Sequence, residues 1–383
     1  MLALVGQAAL AAGILLITPH APAAAGASTT VQASTEGSEE SRFLSRTRRL
    51  IYEGRRSGEG YFSPDGSQMV FQSERLEGNP FYQIFLMDME TGDVSMVSPG
   101  TGKTTCAFIQ PGTGHVLYSS THHDPRSEEL QQAELDFRAS GATRRYSWDY
   151  DPEMELYVTD PATGKERRLT NTLGYDAEAS FSPDGEWIVF SSMRDGYDGE
   201  LTEEEAKTLE VDPSYFGELY RIRADGTGLQ RLTETPGYDG GPFYFPDGSR
   251  IIWRRFSEDG LTADVWSMKP DGTDQKRLTS FGAMSWAPYV HPSLEYVLFA
   301  SNKLGFTNFE VYIVDVEGTK EPVRVTSTDG FDGLPVPTPD GKRLTWTSSR
   351  HAGEGAQLYI ANWNHEAALA ALEAAPARQE NSR

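Results

Sequence analysis

The chain has almost no cysteine. Its one thiol, Cys106, cannot form an internal disulfide, so the fold does not depend on oxidation. In the run with Ala107 and Phe108, Cys106 reads as a small core residue. Basic residues are also short: 34 Lys and Arg stand against 56 Asp and Glu, a net charge of −22. Such a surface repels nucleic acid and anionic lipid. It suits solubility in salt, cations or a cationic partner. There is no Gly-x-Ser-x-Gly, no phosphate loop and no cysteine metal motif. The one extended apolar run, from Leu2 to Ile17, is short for a membrane span. No charge precedes Glu36, and Ala23-Ala24-Ala25 and Ala25-Gly26-Ala27 offer small-residue cleavage sites. Residues 1–27 therefore read as a signal peptide, although no Lys or Arg precedes the apolar run. The expected location is periplasmic or secreted.

What the chain has in abundance is one phrase. Phe62-Ser63-Pro64-Asp65-Gly66 precedes Met69-Val70-Phe71, and Phe181-Ser182-Pro183-Asp184-Gly185 precedes Trp187-Ile188-Val189-Phe190. Phe245-Pro246-Asp247-Gly248 and Pro339-Asp340-Gly341 repeat it, and Gln110-Pro111-Gly112 and His291-Pro292-Ser293 are degraded copies. Pro presets φ, Asp bonds its own backbone and Gly accepts positive φ, so each copy is a tight turn between two strands. Two further strands follow each copy, as in Glu218–Ile222 and Gln230–Thr233. Four antiparallel strands repeated six times make an all-β, six-bladed β-propeller.

The register predicts how the ring closes. Leu50, Val97, Leu169, Leu232, Leu278 and Val325 each stand 15 positions before a turn position. Leu50 has no blade before it, and the last blade lacks its outermost strand. Residues 46–51 are expected to complete blade six by pairing near Leu358-Tyr359-Ile360. The organisation reads as a linker over 28–45, a propeller over 46–363 with insertions at 121–151 and 195–217, and a short helix and tail over 364–383.

Ala179-Ser180-Phe181-Ser182-Pro183-Asp184-Gly185, the Leu-Thr strand endings and Ser348-Ser349-Arg350 resemble the PD40 (WD40-like) repeat of TolB-like six-bladed propellers. The resemblance covers residues 46–363 and implies the fold more than the function. TolB proteins carry a further domain ahead of the propeller, which the segment between the leader and blade one is too short to hold. With no Gly-x-Ser-x-Gly and no hydrolase segment after the propeller, a propeller-bearing serine peptidase is not expected.

Asp176, Asp239 and Asp332 each stand eight positions before a turn Asp, in loops leading to inner strands. With Glu178 they are expected at one channel mouth, where they would repel unless neutralised. Either they hold a hard cation such as Ca²⁺, or each caps its own loop. The first insertion carries Tyr146, Trp148 and Tyr150, a platform for sugar or peptide or else packing onto the rim. It also carries His122 and His123, which would point opposite ways on a strand. His122 beside Asp124 reads as a candidate ligand or a surface hydrogen bond. The residues favour a non-catalytic, monomeric scaffold for an envelope protein or glycan. The alternative is a metal-dependent polysaccharide lyase or hydrolase, resembling propeller-fold oligogalacturonide lyases.

Overall fold

The structure is a computed structural model that describes residues 39–143, 149–350 and 355–379. The expected leader over 1–27, and the linker as far as residue 38, lie outside the described residues, as do Tyr146 and Trp148. Strand β1 (Leu44–Arg49) comes first. Blade one is β2 (Arg56–Phe62), β3 (Gln68–Glu74), β4 (Gln83–Asp88) and β5 (Val94–Met96). Blade two is β6 (Thr104–Ile109), β7 (Val116–Ser120), β8 (Glu155–Asp160) and β9 (Lys165–Arg168), with helix α1 (Ser127–Ala139) between β7 and β8. Blade three is β10 (Ala177–Phe181), β11 (Trp187–Ser192), β12 (Glu218–Arg223) and β13 (Gln230–Arg231), with α2 (Asp195–Asp198) and α3 (Glu203–Val211) inserted. Blade four is β14 (Asp239–Tyr244), β15 (Ile251–Phe256), β16 (Ala263–Met268) and β17 (Lys276–Arg277). Blade five is β18 (Ser285–Val290), β19 (Tyr296–Ser301), β20 (Glu310–Asp315) and β21 (Val323–Arg324). Blade six is β22 (Asp332–Pro337), β23 (Arg343–Ser348) and β24 (Gln357–Trp363), followed by α4 (His365–Ala374).

Neighbouring first strands touch all the way round, β2 with β6, β6 with β10, and so on to β22 with β2. The six four-stranded sheets therefore form one ring. Strand β1 fills the missing place in the last sheet, whose order is β1-β24-β23-β22. Arg48 pairs with Ile360 and Arg49 with Tyr359, the pairing expected from the register of Leu50.

The fifteen-residue offset has a backbone cause. The N–H groups of Leu50, Val97, Leu169, Leu232, Leu278 and Val325 donate to the carbonyls of Leu358, Ile84, Leu156, Leu219, Val265 and Val311, at 2.7–2.8 Å. Each tethers an outermost strand to the third strand of its blade. Side chains add a clamp in blades two to five. Arg168, Arg231, Arg277 and Arg324 reach Glu155, Glu218, Asp264 and Glu310 across the same strand pair. The Thr of each Leu-Thr or Val-Thr ending accepts the third strand's N–H, as Thr233 does from Leu219 at 2.9 Å. Burying an Arg–carboxylate pair is tolerable only with such complete hydrogen bonding.

Antiparallel order fixes two faces. All the Pro-Asp-Gly turns fall on one face, together with the turns between third and fourth strands. The other face carries the connections from second to third strands and those from one blade to the next. Both long insertions lie on this second face, called the loop face below.

The closing strand also packs its own side chains. Phe43 and Leu44 are buried with Tyr296, Trp346 and Trp363, and the Phe43 and Trp363 rings lie 6.1 Å apart. Removing buried methyl groups there costs the burial and leaves a cavity. Leu44→Ala is expected to cost about 2–4 kcal/mol and to lower Tm by roughly 5–10 °C. Thermal unfolding checks this; an unchanged Tm would mean that β1 does not hold the ring shut.

Candidate functional site

Each first strand is interrupted by a bulge. Pairing slips between Gly58 and Tyr61, and equivalently in the other five blades. At each slip one residue has positive φ: Glu59 (51°), Cys106 (52°), Glu178 (55°), Gly241 (59°), Ala287 (49°) and Leu334 (55°). All six line a single cavity of about 30 Å³ at the ring centre, about the space of one water molecule. The bulges re-aim these residues at the axis.

Below them the channel is filled by rings. Tyr61 lies 5.7 Å from Phe108, 5.2 Å from Phe243 and 6.1 Å from Tyr289. Phe243 in turn lies 5.1 Å from Tyr289. These are ordinary aromatic packing distances. Four blades thus contribute a plug, and the cavity above it is a dead end.

The cavity is polar on one side. Arg254 donates to Glu178 Oε1 at 2.6 Å, and Glu178 Oε2 accepts from the Tyr238 hydroxyl at 2.8 Å and the Gly241 N–H at 2.6 Å. A Cβ on Gly241 would meet the Arg254 guanidinium, so a larger residue there would displace Arg254 from its place beside Glu178. The Cys106 backbone N–H donates to Gln72 Oε1 at 3.3 Å, and its thiol lies 3.1 Å from the Thr105 hydroxyl. Glu59 Oε2 and Arg254 Nε have no hydrogen-bond partner among the described residues. Burial, reinforced by the charge of Glu178, pushes the Glu59 carboxyl up to about 7. Burial likewise pushes the Cys106 thiol up, and Glu59 adds to it.

The three aspartates stand at the loop-face ends of first strands, and each meets a guanidinium. Asp176 accepts from Arg194 at 2.5 Å and from the Ser192 hydroxyl at 2.6 Å. Asp239 accepts from Arg255 at 2.8 and 2.7 Å and from the Trp253 indole at 3.0 Å. Asp332 accepts from Arg350 at 2.5 Å and from the Trp346 indole at 3.1 Å. All three are buried. An arginine stands beside each of the three carboxylates, and the contacts run to side chains of the same blade, where loop capping would use backbone N–H groups. Their partners sit 16 or 18 positions on, across the first hairpin of the same blade.

Tyr150 folds the blade-two insertion inward. Its ring lies 5.2 Å from Tyr175 and 5.3 Å from Tyr238, whose hydroxyl reaches Glu178. At the insertion's other end, Arg138 of α1 bonds Glu74 and the Pro80 carbonyl of blade one. His122 and His123 lie outside the channel, in the turn that follows β7. The sequence reading missed Glu59, Arg254 and Glu166. Glu59 and Cys106 carried one usable signal, a constant offset of six residues before the turn position shared by all six bulges.

No protein-family model matches the chain. An uncharacterized protein of Agrobacterium fabrum is 25% identical over 260 residues, 59% of this chain and 80% of that protein. Among solved structures, a putative TolB from Agrobacterium tumefaciens has a TM-score of 0.54 at 19% identity, over 80% of this chain and 90% of that one. TolB from Acinetobacter baumannii has a TM-score of 0.52 at 16% identity, over 81% of this chain and 63% of that one. An oligogalacturonate lyase in complex with manganese has a TM-score of 0.50 at 17% identity, over 84% and 94%. The fold is that of the TolB-like six-bladed β-propellers. At these identities the likeness speaks for the fold alone.

The raised Glu59 pKa gives a signed expectation. An unfolded carboxyl ionises near 4.5 and the folded one near 7. Its contribution to stability is therefore full below the lower value and is lost as pH rises through the upper one. Across that window the folded protein loses on the order of 3 kcal/mol relative to Glu59→Gln. Urea unfolding of both proteins at pH 4.5, 6 and 8 reads the difference; a constant gap would refute a protonated Glu59.

Proposed function

We propose that the protein is an exported, non-catalytic scaffold that binds an envelope protein or glycan on its loop face. One observation carries the reading. Among the described residues the large apolar side chains left exposed are Tyr52, Val94, Met96, Leu173, Val211, Leu229, Leu261, Leu304 and Phe306. Six of these nine, Tyr52, Leu173, Val211, Leu261, Leu304 and Phe306, fall on loop-face connections. They are spread around the ring, and Tyr52 and Val211 are 72% and 75% exposed. Singly such side chains need no explanation; that six of the nine share one face is what favours that face for contact with a partner. The plugged channel supports that face over the axis in this reading.

In this reading Asp176, Asp239 and Asp332 hold loop bases through their arginines, and Glu178 ties the insertion to the ring. Tyr146 and Trp148 remain the proposed contacts for a sugar or peptide, and Tyr150, packed on Tyr175 and Tyr238, anchors the insertion that carries them. Export rests on the leader-like residues 1–27. No helix among the described residues is long and apolar enough to cross a membrane. The net charge of −22 favours a neutral or cationic partner.

A second reading, a polysaccharide lyase or hydrolase, has two supports: the likeness to the manganese-bound oligogalacturonate lyase and a buried carboxyl, Glu59, poised near 7. A carboxyl at that pKa suits general acid–base work.

Immobilised protein and a periplasmic extract separate the readings. Val211→Ser, Leu304→Ser and Phe306→Ser combined should weaken capture at least about tenfold, with stability changed by less than about 0.5 kcal/mol per site. Leu229→Ser, on the opposite face, should leave capture intact. Equal loss from both variants contradicts the loop-face reading. Turnover of acidic oligosaccharides that Glu59→Gln abolishes would favour the enzyme.

A further inference from the structure

A group of side chains in blade two takes no part in the channel or in the exposed apolar surface. His122 and His123 lie in the turn that starts the insertion, and Glu166 lies on β9. One ring nitrogen from each histidine and one Glu166 oxygen all fall within 4.8 Å of one another. His122 Nε2 is 3.1 Å from Glu166 Oε1. On a strand, adjacent histidines would diverge; here the chain has left β7 at Ser120, and the turn lays both rings on Tyr157. The rings lie 4.1 Å apart, and 4.3 and 5.2 Å from that tyrosine.

The outer atoms of two of these groups are already held. His122 Nδ1 lies 2.8 Å from the Ser120 hydroxyl. Glu166 Oε2 accepts the Tyr118 hydroxyl, which also contacts Thr159 Oγ1 at 3.2 Å. These contacts leave His122 Nε2 and Glu166 Oε1 facing each other, with the exposed His123 beside them. Hydrogen bonds that fix the far side of a ligand are the usual surroundings of a bound metal. A lone His–Glu hydrogen bond would explain the pair but not the third group converging on it.

We infer that His122, His123 and Glu166 form a site for a divalent transition metal of the Zn²⁺ class, which pins the base of the blade-two insertion to the outermost strand. Two imidazoles and one carboxylate are borderline-soft and oxygen donors in the numbers such ions take, with a fourth position open to solvent. Ca²⁺, which takes six or more oxygens, does not fit this set.

The test uses the full chain stripped with chelator and titrated with Zn²⁺ alone by calorimetry, with Co²⁺ as a spectroscopic probe. The expected result is one Zn²⁺ per chain, a rise in Tm on binding, and Co²⁺ absorption bands of four-coordinate intensity. His123→Asn, at an exposed position, should keep the metal-free Tm and weaken binding at least tenfold. Tyr118→Phe, which touches no metal, should weaken it about 10–100-fold. No Zn²⁺ binding, or binding unchanged in His123→Asn and in Glu166→Gln, overturns the site. Neither result bears on the loop-face reading, whose test uses other residues.

Discussion

The structure depends on one backbone constraint, a left-handed residue in the middle of every first strand. A strand at the hub must pair with its own blade and still converge on the axis. A bulge resolves the conflict by bending the strand and adding twist. Positive φ costs a non-glycine residue about 1–2 kcal/mol, yet five of the six positions, Glu59, Cys106, Glu178, Ala287 and Leu334, are not glycine. The ring holds them there from both sides. Once the bulges are set, their side chains face the axis, and the residues two positions on from Glu59, Cys106, Gly241 and Ala287 form the aromatic plug. Chemistry at the hub is then confined to a cavity of about 30 Å³.

The same constraint separates what was legible in the sequence from what was not. The turns and the fifteen-residue offset were visible because a repeated backbone bond needs a repeated residue type: Pro-Asp-Gly at the turn, an aliphatic residue at the tether. Closure by β1 followed from the register of Leu50 and the outermost strand missing from the last blade. The bulge was hidden because its requirement is on φ, and Glu, Cys, Gly, Ala and Leu all occupy it. The spacing was present; the chemistry was not uniform.

The aspartates show the opposite case. Asp176, Asp239 and Asp332 are chemically alike, which invited a shared ligand, but their partners are local. Arg350 was visible in the Ser348-Ser349-Arg350 motif without its distance to Asp332. Glu166 carried no signal in the sequence, since only the turn after Ser120 brings His122 onto it. Adjacency of His122 and His123 argued against a common target only while both were read as strand. Buried carboxylates matched with arginines leave the acidic excess on the surface, where it acts on partners and not on the fold.

The account stands on a hub closed to solutes, and the sole cysteine sits at that hub. Cys106 is buried and its thiol is held protonated by burial and by Glu59, both of which slow its reaction. The rate of labelling of native protein by a thiol reagent of small and of large size, compared with urea-unfolded protein, therefore reads the channel directly. The account predicts that both reagents label Cys106 only as fast as the protein unfolds. Rapid labelling of the folded chain by the small reagent would show an open channel and return the site of recognition to the axis.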